Sequence, residues 1–393
     1  MSFDELPSSV DVLVIGAGII GTAIGARLAS HDISVCVLDR YEPAAGCSSA
    51  GEGNVLVSDK LPGADLALAL RSVRLWRELG ARLGEQIEFD PKGGLVVAHT
   101  GEELAELFAL ARDQQLQGVR VRFLDSDELL TIEPSLTEGL AGGVFYDDDA
   151  QVQPMRAVSA YVAETRRLGG RVVVGTEVLG AEYDPERRIR YVTTNAGRVE
   201  AGTWVVNAAG PWAGELAGRL GTTIPVVPRR GHILVTEPVS PITKYKVYEA
   251  SYVGGIHNQA RDWTVSSVVE ATVSGTMLLG SSRESVGFST TTNPAIVAAI
   301  ARRAIALFPC LESVRLMRTY FGFRPATPDR LPIIGQDTSI PGLLHATGHE
   351  GAGIGLAEAT AEAIENLVLG RASVIDLAPF SPGRFDVDVR DRP

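Results

Sequence analysis

Residues Asp11 to Asp39 read DVLVIGAGIIGTAIGARLASHDISVCVLD. The run Val12 to Ile15 is apolar at every position, which marks a strand buried on both faces of a parallel sheet. Gly16, Gly18 and Gly21 follow with G-x-G-x-x-G spacing, a helical pattern continues through Ile24 and Leu28, and Val35 to Leu38 is a second apolar run. Strand, turn, helix and strand in this order make a dinucleotide-binding unit. Gly16 permits the tight turn, Gly18 lets the backbone approach a pyrophosphate, and Gly21 lets the helix pack closely on the strand. The helix start offers N–H groups and a partial positive charge to the phosphates. Asp39 ends the second strand, where a carboxylate can accept from ribose hydroxyls and disfavours a 2'-phosphate, although the neighbouring Arg40 pulls the other way. At this level a nicotinamide and a flavin dinucleotide fit equally well.

The 393 residues, 45% hydrophobic and 21% charged, suffice for two or three domains with a large core. A formal charge of -12 argues against a nucleic-acid or anionic-membrane partner. Cys36, Cys47 and Cys310 are few, odd in number and widely spaced, which argues against a disulfide framework or a zinc site and fits a reducing compartment. No metal is expected. The N-terminal MSFDELPSSV is acidic where a secretory leader would be basic, and the most apolar window, Val12 to Ala29, is broken by glycines and Arg27. The expectation is a cytoplasmic protein without a membrane span.

The stretch RYEPAAGCSSAGEGNV after Asp39 is polar and glycine-rich, and Ser48, Ser49, Gly51, Gly53 and Asn54 suit a loop lying flat along a large cofactor. Periodicity predicts helices over Leu66 to Leu83, Glu102 to Gln115, Met155 to Leu168, Pro294 to Phe308 and Leu356 to Leu369. Trp204 to Gly210 reads as a buried strand ending in small residues, a second turn of the nucleotide-site kind. From Ile224 to Leu316 the pattern becomes antiparallel, with strands at Ile233 to Val235, Trp263 to Val269 and Thr276 to Leu279. The tail from Pro379 onward is expected to trail on the surface. The predicted fold class is α/β: a Rossmann-like domain over 10–86, 145–223 and 321–372, a substrate domain of antiparallel sheet plus helices over 87–144 and 224–320, and a tail over 373–393.

Three later segments join the opening motif: VVNAAGPWA at Val205 to Ala213, GFRPATPDRLPIIG at Gly322 to Gly335, and HATGHEGAGIGLA at His345 to Ala357. Together, in this order, they resemble the D-amino-acid oxidase family of flavoproteins, which includes glycine oxidase, sarcosine oxidase and related amine dehydrogenases. The resemblance implies FAD rather than NAD. It implies that the cofactor is held by Gly16, Gly18, Ile19, Ile20, Gly21, Asp39 and Arg40, by Ser48, Ser49, Gly53 and Asn54, and by Val178, Ala208, Gly210 and Trp212. Gly348, Gly351, Ala352, Gly353 and Ile354 would face the reactive end of the flavin. The implied reaction is hydride transfer from the carbon beside an amine to flavin N5, giving an imine that water hydrolyses.

The segment from Gly322 to Pro332 resembles the one that places an arginine over the flavin to hold the substrate carboxylate, and the matching residue is Arg324. Strand alternation puts Tyr320, Gly322 and Arg324 on one face and Phe321 and Phe323 on the other. A guanidinium fits the task because its planar fork binds a carboxylate through two parallel hydrogen bonds. His349 reads equally as a flavin or substrate contact and as a helix-start residue, and Glu350 is expected to face away from the flavin. His232, in PRRGH, resembles the segment that enters the substrate domain, and His257, Tyr248 and Tyr252 are further candidates to line the pocket. SSAGEGNVLVSDKLPG and LLGSSRESVGF resemble the catalytic subunits of opine, hydroxyproline, proline and hydrogen-cyanide-forming glycine dehydrogenases. Those subunits often pass electrons to a partner subunit rather than to oxygen, so a small amino acid or amine, an oxygen or protein acceptor, and a homo- or hetero-oligomer are expected. An NAD-linked dehydrogenase and a non-catalytic flavin-bound scaffold subunit are the alternatives.

Overall fold

Ser9–Ile15 is the central strand of an eight-stranded sheet, and Val12, Leu13 and Val14 are buried on both of its faces. The computed structural model describes residues 4–240, 242–251 and 263–386. Val35–Leu38 pairs with the central strand on one side and Gly197–Asn207 on the other, both parallel. Arg171–Val173 and Leu343–Thr347 continue the parallel arrangement outward, and Ile333–Gln336 closes one edge antiparallel to Leu343–Thr347. Ile15 lies opposite both Leu38 and Asn207, so three parallel strands end level with one another. The carboxyl ends of such strands are where open parallel sheets bind ligands. Ile19–Leu28 is tied to the C-terminal helix Gly353–Val368 by Arg27, which reaches Glu358 at 2.7 Å and Glu365 at 3.1 Å.

Two compact units divide the chain: 1–49, 154–228 and 324–393 form the first, and 50–153 and 229–323 the second. The expected domain limits at 86 and 145 fall differently, because two elements near them pack inside the second unit. Trp76 of the helix Ala64–Ile87 stacks on Phe89 at 6.5 Å between ring centres. Gly142–Tyr146 is a strand paired with both Gly94–Ala98 and Val121–Asp125.

The second sheet runs Leu316–Ala326, Val227–Thr236, Met277–Glu284, Trp263–Ala271, Lys246–Glu249, Gly94–Ala98, Gly142–Tyr146, Val121–Asp125. The antiparallel pattern read from the sequence is broken where Lys246–Glu249 lies parallel to Gly94–Ala98. Those strands come from separate insertions, so no hairpin turn sets their relative direction. On one face Val247, Val269, Met277 and Leu279 pack against Ile296, Ile300, Ala304 and Leu307 of the helix Pro294–Leu307. The helix starts there because the Asn293 side chain accepts from Ala295 N at 3.0 Å and Pro294 occupies the first helical turn. The alternate residues Lys246, Tyr248 and Glu270 belong to the opposite face and are also buried.

Through residue 386 the tail is seated on the first unit rather than trailing. Ala378–Phe380 and Pro382–Phe385 form two short 3-10 turns, Phe380 is buried, and Arg384 donates to Asp329 at 2.7 Å. Composition marked the segment as polar, but Phe380, the partly buried Phe385 and one ion pair seat it through residue 386.

Candidate functional site

Gly16 adopts φ +120°, and a Cβ there would stand 2.4 Å from Ala208 O. A Cβ on Gly21 would stand 1.8 Å from Gly16 O, so neither position admits a side chain without moving backbone. Gly18 precedes the helix in extended conformation with no side-chain cap, and the first turn carries no acidic group. Ser48, in the turn Cys47–Ala50, accepts from Ile19 N at 2.9 Å through its hydroxyl oxygen. A phosphate placed here meets helix N–H groups and a hydroxyl together, the arrangement that binds anions at helix starts. Ile20 is buried in that first turn. Ser49 holds its own loop through Gly46 O at 3.2 Å.

The Asp39 carboxylate closes the turn: Oδ2 accepts from Ala17 N at 2.7 Å and Oδ1 from Tyr41 N at 2.9 Å. Burial raises its pKa while those hydrogen bonds oppose the rise. Two carboxylate oxygens offer about four acceptor positions, so capacity remains for ribose hydroxyls. Arg40 is engaged by the rings of Tyr41 and Trp212, 5.0 and 4.8 Å from their centres, and stands 3.9 Å from Glu177. Its guanidinium is therefore already occupied by an aromatic pair and a carboxylate. Val178 opens the strand Val178–Tyr183 and its carbonyl accepts from Arg219 at 2.6 Å. Ala208 N donates to Ile15 O at 2.9 Å, and Gly210, at φ +54°, accepts from the Thr347 hydroxyl at 3.0 Å. These features fit a dinucleotide: a cradle that a Cβ would fill, an uncapped helix start and an acceptor at the end of the second strand.

At the far end of the chain Gly348 takes φ +77°, where a Cβ would press on Thr327 at 2.6 Å. A 3-10 turn, Glu350–Ala352, leads into the helix, which begins at Gly353, three residues before the predicted Leu356. Gly353 and Ile354 lie in that first turn, which has no acidic side chain, and Ala352 precedes it without a side-chain cap. Gly351 faces Arg324, whose Nε lies 3.4 Å from the point a Cβ would occupy, so the guanidinium lies across a bare backbone turn. Cys47 shares this neighbourhood: burial pushes its thiol up and the charge of Arg324 opposes the rise. His349 is buried with Nε2 2.9 Å from Oγ1 of Thr360, in the helix that follows it. Glu350 is buried at φ +48°.

His232 lies in the second unit, fully buried, with Nδ1 3.0 Å from Glu284 Oε1. Arg230 holds the same carboxylate through Nε at 3.1 Å and Nη2 at 2.8 Å. The His232 ring lies 5.8 Å from Phe321, whose neighbour Phe323 meets Phe288 at 5.2 Å. Gly322 lies on the other side of that strand, where a Cβ would touch Ala50 Cβ at 2.6 Å. Tyr248 is buried and donates to Ser58 Oγ at 2.5 Å. Gly53 and Asn54 also belong to the second unit; Asn54 Nδ2 donates to Glu52 at 2.8 Å and Gly53 O accepts from Val152 N at 2.9 Å. His257 and Tyr252 lie outside the described residues. Sequence reasoning passed over Glu52, Ser58, Asp149 and Glu284, because a carboxylate or hydroxyl beside glycines and serines looks like surface until the sheet buries it. Among the described residues there is no group of three or more His, Cys, Asp or Glu able to hold a metal, and no helix is long and apolar enough to cross a membrane.

The profile of a family described as "FAD dependent oxidoreductase" matches residues 11–367. The hydrogen cyanide synthase subunit HcnC of Pseudomonas aeruginosa is 29% identical over 95% of this chain and 96% of its own length. Glycine oxidase of Geobacillus kaustophilus is 28% identical over 94% of this chain and 96% of its own. The crystal structure of that glycine oxidase superposes with a TM-score of 0.86, covering 97% of this chain and 100% of that one. The L-proline dehydrogenase structure from P. horikoshii, at 24% identity and a TM-score of 0.88 over 97% of this chain and 99% of that one, shares the fold. With the glycine cradle, the uncapped helix start and the late return to the first sheet all in one match, the chain belongs to the D-amino-acid oxidase family of FAD-dependent oxidoreductases.

Proposed function

We propose that this protein oxidises the carbon–nitrogen bond of a small amino acid or secondary amine to an imine, acting as the catalytic subunit of a dehydrogenase. The observation that carries this reading is Arg324, whose guanidinium lies across Gly351 just before the start of the helix Gly353–Val368. A planar fork in that position takes a carboxylate bidentately and fixes the orientation of the α-carbon as well as its affinity. When bound, the flavin supplies the two-electron acceptor that removes a hydride from that carbon. The chain contributes alignment and a helix start free of acidic side chains, where N–H groups favour negative charge. The substrate loses a hydride and its nitrogen loses a proton, and water then converts the imine to an oxo acid and an amine.

The similarity to a hydrogen cyanide synthase subunit supports the subunit reading, and the similarity to glycine oxidase supports the oxidase alternative. The unpaired Cys36, Cys47 and Cys310 support a reducing, cytoplasmic setting. The test is anaerobic mixing of the FAD-loaded protein with glycine, sarcosine, L-proline, hydroxyproline, D-amino acids and opines. Bleaching of the flavin by one of these and not by its deaminated acid is expected; no bleaching across the panel would overturn the reading. Peroxide release on admitting air then separates oxidase from dehydrogenase.

A further inference from the structure

Within the first unit, the C-terminal segment Ala378–Phe380 and Pro382–Phe385 forms a strap beside Ile333–Gln336, the edge strand of the first sheet. A Cβ on Gly335 would stand 3.2 Å from Pro382, and Phe385 packs against Ala213, Ala217, Ile224, Val226 and Ile333. Such apolar packing covers a strand edge by itself. Arg384 does something different. Its Nε donates to Asp329 Oδ2 at 2.7 Å and its Nη2 to Asp329 Oδ1 at 3.2 Å, a two-point fork on the carboxylate. Nη2 also donates to Leu331 O at 2.8 Å and Nη1 to Ser381 O at 3.0 Å, while the guanidinium lies over the Phe385 ring, 4.2 Å from its centre. The Arg384 side chain is only 15% exposed. Burial raises the Asp329 carboxyl, but the bonds and charge of Arg384 outweigh it and hold the pKa below the usual carboxylate range.

The turn that Arg384 holds, 327–331, is the one the chain enters directly after Arg324 and the end of its strand at Ala326. Arg330 stands there at φ +66°, a left-handed backbone that a residue with a Cβ keeps only where its surroundings impose it. The turn's own bonds help to impose it: Arg330 N donates to Thr327 O at 3.3 Å, Leu331 N to Asp329 Oδ1 at 3.2 Å and Thr327 Oγ1 to Leu331 O at 2.9 Å. Asp329 Oδ1 and Leu331 O, which close the turn, are the same atoms that Arg384 grips. Thr327 in turn packs on Gly348, where a Cβ would stand 2.6 Å from Thr327 Cγ2. Gly348 begins the stretch of backbone that includes Gly351, across which Arg324 lies. The turn thus meets the strap through Asp329 and Leu331, and the support of the Arg324 guanidinium through Thr327.

We propose that Arg384 is a positioning residue for the carboxylate site: clamped on Asp329 and Leu331 O, it fixes the turn 327–331 and thereby the placement of Arg324 against the backbone at 348–351. This rests on the carboxylate role of Arg324 in the reading above and deepens it. A fork that binds a carboxylate through two parallel bonds works only when its placement is held to a fraction of an ångström, which calls for a rigid support behind it. The C-terminal strap supplies that support, and Arg384 itself touches neither substrate nor cofactor.

The test uses the FAD-loaded protein, with acetate and propionate as carboxylate probes titrated through the flavin spectrum and peptide-resolved hydrogen exchange as a second readout. Wild type is expected to bind at least one probe; binding of neither overturns the proposal. Arg384→Ala should weaken that binding ~10-fold or more, the scale on which misplacing a binding group by about 1 Å acts. It should also speed amide exchange across 327–333 and 346–353 as well as across the strap. In an Arg324→Ala background the same change should cause no further loss, because nothing is left to position; a further ~10-fold loss there overturns the proposal. Arg384→Lys should restore the melting temperature by keeping the charge and recover little of the affinity, since an ammonium does not reproduce the fork. An Arg384→Ala protein with unchanged carboxylate affinity and faster exchange confined to 378–386 overturns the proposal and leaves the strap a cover for the sheet edge. Should Arg384→Ala not fold, Asp329→Asn is read in its place, and unchanged affinity there again overturns it. Absence of bleaching by any amine, with carboxylate binding weakened in Arg384→Ala, would sink the oxidation reading and sustain the strap; bleaching with unchanged carboxylate affinity in Arg384→Ala would sink the strap alone.

Discussion

Arg324 faces a residue without a side chain, its Nε 3.4 Å from where a Cβ on Gly351 would stand. Arg324→Ala is expected to lower kcat/KM for amino-acid substrates by ~10²-fold or more, in keeping with loss of a charge-assisted bidentate pair, and by much less for an amine without a carboxylate. Equal losses on both would remove the clamp from the mechanism. Arg324→Lys should recover little, because a point charge does not reproduce the fork. At the other end of the cofactor cradle, Gly21→Ala puts a methyl 1.8 Å from Gly16 O. The helix start must then shift, and a loss of about 1–3 kcal/mol is expected together with poor FAD retention, read as flavin content after gel filtration and as melting temperature. The glycine spacing was legible because each glycine answers to its own neighbours in the chain. The bond from Ile19 N to Ser48 was not, because its partners lie 29 positions apart.

The helices Ile19–Leu28 and Gly353–Val368 are far apart in sequence and are joined by Arg27, Glu358 and Glu365. His31 also reaches Glu365 at 2.6 Å, and the Tyr161 hydroxyl bonds Glu358. The cluster carries more acceptors than cations once Arg27 is gone, which leaves Glu358 buried beside a single hydroxyl. Arg27→Ala is therefore expected to cost about 2–4 kcal/mol, below the full value for a buried pair because the Arg27 side chain is 24% exposed. Urea unfolding with an unchanged m-value would show it, and a loss under about 0.5 kcal/mol would reduce the cluster to a surface pair. The existence of both helices could be read from their apolar periodicity, but their starts could not. The apolar pattern is continuous from Leu356, whereas the backbone turns helical at Gly353, where Gly353 and Gly355 flank Ile354 and interrupt the periodic signal.

At the scale of the molecule, Asp149 ties the chain segment Val57–Ser58 into the second unit. Its Oδ1 accepts from Val57 N at 2.8 Å and Ser58 N at 3.3 Å, its Oδ2 bonds the Ser58 hydroxyl, and a Cβ on Gly94 would collide with it at 2.2 Å. Burial pushes its pKa from 3.8 up to about 7, against the pull of those hydrogen bonds. A carboxyl whose folded pKa is raised is more protonated folded than unfolded. The stability it contributes is thus full below about pH 4 and is lost as pH rises towards 7. Asp149→Asn keeps an acceptor for Val57 N and has no proton to lose. It is expected to flatten stability across this window relative to wild type, by a few kcal/mol at most, as measured by urea midpoints at pH 4 to 8. Parallel pH profiles for both proteins would show that Asp149 stays ionised. By itself the sequence determined the dinucleotide unit and the return of the chain to the first sheet, because these depend on spacings and residue types within short segments. Only the tertiary structure decided that Lys246–Glu249 runs parallel to Gly94–Ala98, that His349 bonds the helix that follows it and that Glu52 and Glu270 share one buried environment. The strand pairing and the shared glutamate environment result from packing between segments distant in the chain, and burial has no local signature.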